Sequence, residues 1–527
     1  MQRISSATPH PFYSVAATRL IEQQAAATLP AHTLMQRAGL AVARLALAVA
    51  PHARCIWVAC GPGNNGGDGF EAAMHLHQWG KVVTLTWTGL PEGRDAAPPD
   101  AEASRRRALA AGCVIADAPP DEFDLCIDAL LGIGGSLDPA RAGTALMSQW
   151  LALMDTKGAV RLSVDVPTGL NADTGGYDAR GALGTKNATT AIAAPASNNW
   201  AEGLFCLNLL TLKLGMFTAQ GRDAAGEVWF DDLGVANFDA IAPCARLLGD
   251  DSALGGHLAR ASHASHKGSF GDVGVIGGES TASSHMTGAA LLAARAALHG
   301  GAGRVFVALI NACPESALTV DITQPELMFR SFDALDLERQ IIVCGCGGGE
   351  AVKTVLARVL SVAQAVVLDA DALNAISGDL QFQSLLKARH PRGYTTVLTP
   401  HPLEAARLLD ISAARVQGDR LAAAQQLARQ FGCVVVLKGS GSVIAAPGEV
   451  PVINNTGNAL LATAGTGDVL AGMLGAQLAR AGANGSGRLQ AFGVACQAVR
   501  AHGRVADQWA LQHSGHTLTA GKVASLQ

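Results

Sequence analysis

Two sets of residues in this chain have the types and spacing that chemistry requires. In the second half, Asn455-Thr456-Gly457-Asn458 is followed by Ala462-Thr463-Ala464-Gly465-Thr466-Gly467-Asp468-Val469-Leu470-Ala471-Gly472. A Gly-Thr-Gly-Asp turn feeding an apolar helix aims free N–H groups and the positive helix end at an anion, and sets Asp468 beside it. Phosphoryl transfer needs that pair: an anion hole for the moving group and a carboxylate to take the proton of the attacking hydroxyl. An Asp that merely capped a helix would need none of the flanking Gly and Thr. Lys438-Gly439-Ser440-Gly441-Ser442 follows a β-branched run and reads either as a cradle for a nucleotide phosphate or as a hairpin between two strands. His401, held between Pro400 and Pro402 in Thr399-Pro400-His401-Pro402-Leu403-Glu404, is a ring-contacting or hydrogen-bonding group, or a structural His. Asp369-Ala370-Asp371-Ala372-Leu373-Asn374 caps a helix or meets a ligand, and His266-Lys267-Gly268-Ser269-Phe270-Gly271 holds phosphate or turns the chain.

In the first half, Gly61-Pro62-Gly63-Asn64-Asn65-Gly66-Gly67-Asp68-Gly69 follows a predicted strand, with a helix expected to open at Phe70. Glycine permits close ligand approach there, and the helix start favours an anionic group such as phosphate. Asp128-Ala129-Leu130-Leu131-Gly132-Ile133-Gly134-Gly135 and Ser163-Val164-Asp165-Val166-Pro167-Thr168-Gly169 also close apolar strands. Ligands of open α/β sheets sit beyond the carboxyl ends of strands, so all three loops are expected to converge on one pocket; any single Asp there is more often a turn or cap, but three such loops together make that reading weaker. Oxygen donors from Asn65, Asp128 and Thr168 would suit a hard cation and not zinc, leaving Asp165 for acid/base work.

The elements that must position these loops are legible as β-branched runs alternating with helical stretches. Strands are predicted at Cys55–Ala59, Val82–Thr88, Leu125–Ala129 and Val160–Val164, then again at Asp272–Ile276, Arg304–Val307, Ile341–Val343, Val366–Leu368, Thr396–Leu398 and Val434–Leu437. Their separations suit crossover helices and hence parallel sheets. Periodicity lapses between Gly234 and Gly256, which reads as a linker, and the halves share no repeat, so the chain is expected to fuse two folds at residues 1–240 and 245–527. Gly39–Ala50 reads as a buried helix, too short and too interrupted by Arg44 to span a membrane.

Of 527 residues 16% are charged, 39 basic against 43 acidic, which excludes a disordered polyelectrolyte and leaves no basic footprint for nucleic acid. The densest basic run, Arg105 to Arg107, reads as a solvated helix face. Eleven Cys without paired spacing fit a reduced, cytoplasmic compartment, and the Ala-rich helices suggest a homo-oligomer.

The N-G-G-D-G, D-A-L-L-G-I-G and D-V-P-T-G loops, in that order, resemble the NAD(P)H-hydrate epimerase domain over about Leu20 to Val235. That resemblance implies a Rossmann-like three-layer fold that interconverts the R and S hydrates of NADH and NADPH. It further implies that Asn64, Asn65, Gly66, Gly67 and Asp68, with Gly132, Ile133, Gly134, Gly135, Ser136, Leu137 and Asp138, hold the dinucleotide. Asn65, Asp128 and Thr168 would bind K⁺, and Asp165 would shuttle a proton at the hydrated ring. The family's L-K-P-G turn reads Leu212-Lys213-Leu214-Gly215 here, and Ile192 to Asn208 looks inserted, which leaves Trp200, Phe205 and Cys206 to be accommodated.

From Leu258 to about Ala510 the chain resembles the NAD(P)H-hydrate dehydratase branch of the ribokinase-like superfamily, through H-K-G-S-F-G, D-A-D-A-L-N, T-P-H-P-L-E, K-G-S-G and N-T-G-N…A-T-A-G-T-G-D-V-L-A-G. The resemblance implies an S-specific dehydratase that uses ADP with Mg²⁺, with Asp468 as base. Lys438, Gly439, Ser440, Gly441, Ser442 and Gly467 would hold the nucleotide, and Ala289, Gly347 and His401 would meet the hydrate. The family's G-P-G-L-G loop reads Gly345-Cys346-Gly347-Gly348-Gly349. The rival expectations are a sugar or vitamin-precursor kinase and a first half that is a non-catalytic binding module.

Overall fold

The computed structural model describes residues 1–90, 96–138, 143–156, 158–177, 203–235, 240–250, 265–281, 283–311, 318–483 and 489–526. They form two compact units, Met1–Ser5 with His10–Ala245, and Ser6–Pro9 with Arg246–Gln527.

The first unit is built on a sheet ordered Gln2–Arg3, Glu227–Asp231, Leu204–Leu209, Val160–Val164, Leu125–Ala129, Cys55–Cys60, Val82–Trp87, Ile115–Ala116. All neighbours are parallel except the Gln2–Arg3 edge. The chain leaves Cys55–Cys60 toward one edge and returns beside it at Leu125–Ala129, so the sheet reverses its winding between these two strands. Such a switch point opens a crevice at the strands' carboxyl ends. The glycine-rich loop and the Asp128 loop both leave from it.

The residues from Ile192 to Asn208 need correction as an insertion. Residues 192–202, including Trp200, lie outside the described part, but Leu204–Leu209 is an interior strand between Val160–Val164 and Glu227–Asp231, with Cys206 and Leu207 fully buried. Phe205 and Cys206 are accommodated as strand residues. Their alternation is masked because a parallel strand is covered on both faces and reads as a continuous apolar run. The helix after the glycine loop starts at Asn64, six residues before Phe70, and runs to Gln78. Two Asn, three Gly and an Asp depress helix propensity, but packing beneath Thr33–Val49 overrides it. Gly39 lets the two helices meet: a Cβ there would stand 2.2 Å from the Glu71 Cβ.

Arg105 and Arg106 do reach Glu102 on the surface of the Pro99–Ala110 helix, whereas Arg107 turns inward to the buried Glu71, 2.8 Å from Oε2. The solvated-face expectation therefore fails for one residue in three. Arg107→Ala would strand the Glu71 carboxylate in the core and is expected to cost about 3 kcal/mol. Thermal unfolding measures the loss, and adding Glu71→Gln should restore part of it because a neutral amide tolerates burial better.

In the second unit the sheet runs Met328–Phe329, Arg304–Asn311, Asp272–Ser280, Ile341–Cys344, Ala365–Leu368, Thr395–Leu398, Val434–Leu437, Ser442–Ala445, Val452–Asn454. It is parallel as far as Val434–Leu437 and antiparallel over the last two strands. Arg246 and Leu247 add parallel pairing to Val452 and Ile453. Helices Thr287–His299 and Thr466–Ala483 pack closely: a Cβ on Gly472 would lie 2.0 Å from the Ala293 carbonyl oxygen. No helix among the described residues is long and apolar enough to cross a membrane, and the ten described cysteines carry no disulfide.

Candidate functional site

In the first unit a cleft of about 490 Å³ opens at the switch point, lined by Asn64, Asn65, Asp68, the segment Leu130 to Gly135, Asp165 and Lys213. Thr18, Arg19 and Glu22 of the Val15–Thr28 helix close another side. All three loops reach it. The Asn64–Gln78 helix has Gly63 at its N-cap and no side-chain cap, so its first N–H groups remain available to an anion. Asn65 is buried and its Nδ2 has no partner.

Asp165 ends its strand with φ 66°, a left-handed conformation that a non-glycine residue adopts only when its surroundings hold it. They do: the Lys213 ammonium ion-pairs with Oδ1, the Leu209 N–H donates to the same oxygen at 3.2 Å, and the Asn208 amide donates to the Asp165 carbonyl at 2.6 Å. Leu214, where the family carries Pro, is buried in a short 3₁₀ turn, and the Lys213 N–H is held by Asn208 Oδ1 at 3.0 Å. The turn is thus fixed without a proline. Burial, and then the Asp165 charge, push the Asp68 carboxyl well above the carboxylate range; the same two causes raise Glu22. A carboxyl that burial biases toward its protonated form and an ion-paired carboxylate therefore share one cleft, an arrangement that suits proton transfer.

Asp128 and Thr168 sit behind this cleft and do not line it. The Thr168 hydroxyl donates to Asp128 at 2.6 Å, and Arg161 reaches the same carboxylate at 3.0 Å. Of the three side chains expected at a cation, Asn65 alone borders the open space.

In the second unit the Cys346 thiol, Asp369 and Asp468 offer ligand atoms that all lie within 4.8 Å of one another. Asp468 stands in the first turn of Thr466–Ala483, and burial together with Asp369 raises its carboxyl to about 6. Lys438 Nζ donates to Asp369 Oδ1 at 2.6 Å, joined there by the Thr399 hydroxyl at 2.8 Å. Lys438 also lies over Gly467, whose missing Cβ would stand 3.1 Å from Nζ. Lys438 to Ser442 turn a hairpin between Val434–Leu437 and Ser442–Ala445, a geometry compatible with a phosphate role. The buried Arg420 braces that turn, donating to the Leu437 and Lys438 carbonyls at 3.2 Å.

His401 is the N-cap of the Pro402–Leu409 helix, its Nδ1 accepting from the Leu403 and Glu404 N–H groups. Its side chain is 46% exposed, with Nε2 3.3 Å from Glu404 Oε1. Glu404 completes the capping box, and burial raises its carboxyl to about 7. Gly347, at φ 59°, lies against the Thr287–His299 helix, where a Cβ would meet Ala289 at 2.9 Å. His266 to Gly271 form a capped 3₁₀ turn.

Sequence reasoning gave no role to Lys213, Glu22, Cys346, Glu404 or the buried His502, which contacts the Thr466 carbonyl at 3.0 Å. Lys213 and Cys346 both fall in loops whose departure from the family pattern was visible. Glu22 belongs to no motif.

A doubly wound sheet with an uncapped helix start at its switch point, followed by a second sheet one of whose helices begins in Gly-Thr-Gly-Asp, defines a nucleotide-handling α/β enzyme, Rossmann-like in its first unit and ribokinase-like in its second. Residues 273–525 match the family model described as NAD(P)H-hydrate dehydratase, and residues 31–196 match that described as YjeF-related protein N-terminus. The Escherichia coli bifunctional NAD(P)H-hydrate repair enzyme Nnr is 33% identical over 96% of this chain and 91% of its own. The Neisseria meningitidis ADP-dependent (S)-NAD(P)H-hydrate dehydratase is 40% identical over 46% of this chain and 78% of its own. A solved Bacillus subtilis ADP/ATP-dependent NAD(P)H-hydrate dehydratase, 30% identical, covers 51% of this chain and 91% of its own at a TM-score of 0.40. The chain belongs to the family of bifunctional NAD(P)H-hydrate repair enzymes. The relatives favour this reading over a sugar or vitamin-precursor kinase.

Proposed function

We propose that the first unit equilibrates the R and S hydrates of NADH and NADPH and that the second dehydrates the S form at the expense of ADP, releasing AMP and phosphate. The observation that carries this reading is the meeting of Asp468, Asp369, Lys438 and Gly467 at the start of one helix. Asp468 takes the proton of the C6 hydroxyl as its oxygen attacks the β-phosphorus of ADP, and the bond to AMP breaks. The C6–O bond then breaks with phosphate as leaving group while C5 gives up a proton, which restores the dihydropyridine. Hydroxide could not leave at neutral pH; phosphate can.

Lys438 and the hairpin N–H groups from Gly439 to Ser442 hold the nucleotide phosphates, and Gly467 lets them approach the helix. Gly347 and Ala289 border the hydrate, with the half-exposed His401 ring against it. Asp369 and Asp468 are hard oxygen donors of the kind Mg²⁺ accepts alongside diphosphate oxygens, while the Cys346 sulfur is too soft to take part. When bound, Mg²⁺ supplies charge neutralisation on the diphosphate. Lys438→Met removes the cation from Asp369 and the phosphates together, and is expected to raise the KM for ADP at least tenfold while hydrate binding is spared.

In the first unit the dinucleotide phosphates rest on the uncapped helix start at Asn64 to Asp68, with Gly132 to Asp138 opposite. Asp165 takes the C6 hydroxyl proton as the C6–N1 bond breaks to an aldehyde, Asp68, which burial biases toward its protonated form, gives a proton to N1, and N1 re-adds to either face of the carbonyl with both protons returned. Potassium finds Asp128 and Thr168 already engaged, and no step runs through it. Reduced cysteines fit the cytoplasm, and the Ala-rich helices fit a homo-oligomer, which light scattering of the pure protein tests. Incubating the protein with mixed R and S NADH hydrates, Mg²⁺ and ADP should return all of the hydrate as NADH. Failure with both ADP and ATP would sink the dehydratase reading.

A further inference from the structure

An ionised carboxylate offers about four acceptor directions, and in Asp128 the chain fills all of them. Oδ1 accepts from the Thr168 hydroxyl at 2.6 Å and from the Leu130 N–H at 3.4 Å. Oδ2 accepts from the Thr168 N–H at 3.1 Å and from Arg161 Nη2 at 3.0 Å. The Thr168 oxygen, having given its hydrogen away, accepts from the Leu131 N–H at 3.0 Å. Asp128 has no solvent exposure. The third side chain, Asn65, is buried with its Nδ2 lacking a hydrogen-bond partner.

Arg161 is placed to do this by sheet register. It pairs with Cys126, two residues before Asp128, so both side chains emerge on the same face of adjacent parallel strands. Its other terminal nitrogen, Nη1, donates to Asp155 at 2.7 Å on the Thr144–Thr156 helix, clamping helix to sheet, while the buried Nε has no hydrogen-bond partner. Burial opposes its charge, but Asp128 and Asp155 more than offset that, so the guanidinium stays protonated. A second cation bound to Asp128 would face this fixed charge in a poorly screened interior.

We propose that Arg161 is the resident cation of the Asn65, Asp128 and Thr168 site, and that the first unit holds its Asp128 and Asp165 loops without potassium. The proposal rests on the reading of this unit as the epimerase only for its effect on rate; the binding claim stands apart from it. The donor set does not fit the ion that the family resemblance implies, and a covalently attached guanidinium takes the ion's electrostatic place.

The test uses the full chain without hydrates, unfolded thermally in potassium, sodium and choline chloride at equal ionic strength, with ²⁰⁵Tl NMR as a direct probe for a potassium-like ion. Wild type is expected to unfold at one temperature in all three salts and to show no saturable Tl⁺ binding. Arg161→Met empties the position and is expected to gain a potassium-selective stabilisation of several degrees together with Tl⁺ binding; Arg161→Gln serves if the Met variant does not fold. Saturable potassium-selective stabilisation or Tl⁺ binding in wild type overturns the proposal. Indifference of both variants to potassium overturns it too, because the site then never had room for a cation. Epimerisation of (R)-NADH hydrate in the same salts should run at equal rates; absence of epimerisation in every salt counts against the function assigned to the unit and leaves the binding result intact.

Discussion

Asp468→Asn should lower NADH formation from the S hydrate and ADP by roughly a thousandfold, the scale of removing a positioned general base. Asn has nearly the shape of Asp and keeps the helix start, so nucleotide affinity should change far less than turnover. A matched loss in affinity and rate would mean that Asp468 binds and does not act as base. The carboxyl is raised to about 6 by burial, with Asp369 adding to the effect, and Lys438 and the Cys346 thiol pull the other way. A base works only when ionised, so the dehydratase rate should climb as pH rises through about 6 and level off above it. A pH–rate profile under saturating ADP reads this directly. Cys346→Ala removes a group that favours the ionised carboxylate and should move the inflection to higher pH.

Asp165→Asn should lower epimerisation by a comparable factor, roughly a hundred to a thousandfold, and leave the second unit untouched. With mixed hydrates, Mg²⁺ and ADP, the variant should convert the S form at the wild-type rate and then slow to spontaneous epimerisation. The control is pure S hydrate, on which variant and wild type should not differ. The amide no longer pairs with Lys213, which is 1% exposed, so a buried ammonium is left without its counter-charge and the fold should weaken as well. Lys213→Met with Asp165→Asn removes both charges; recovery of stability without recovery of rate would separate the structural contribution of the pair from the chemical one. If mixed hydrates are consumed equally by variant and wild type, Asp165 is not the acid/base group.

Much of this architecture is legible in short stretches. Leu125–Ala129, Val160–Val164 and Val434–Leu437 coincide with their predicted bounds, because a buried parallel strand is written as a local β-branched run. Leu204–Leu209 was obscured by the same rule, since Phe, Cys and Leu on both faces resemble an apolar insert as much as a strand. The glycine-rich segment at Asn64 to Asp68 hides its helix because its residues are poor helix formers. Its fold comes from burial against Thr33–Val49, which lies in a separate part of the chain.

What the sequence determined by itself is where loops gather: in parallel α/β units the loops that end strands converge, so the Asn64 and Asp165 loops were expected at one cleft, which they line, and Asp468 at a helix start, where it stands. Tertiary structure decided which charges meet. Lys213 is 48 residues from Asp165, Lys438 is 69 from Asp369, and Arg161 is 33 from Asp128. Each pairing depends on which strands are neighbours and on which face a side chain emerges. No local pattern carries that information, because ion pairing in a buried site is a property of assembled elements and not of the segments that enter it.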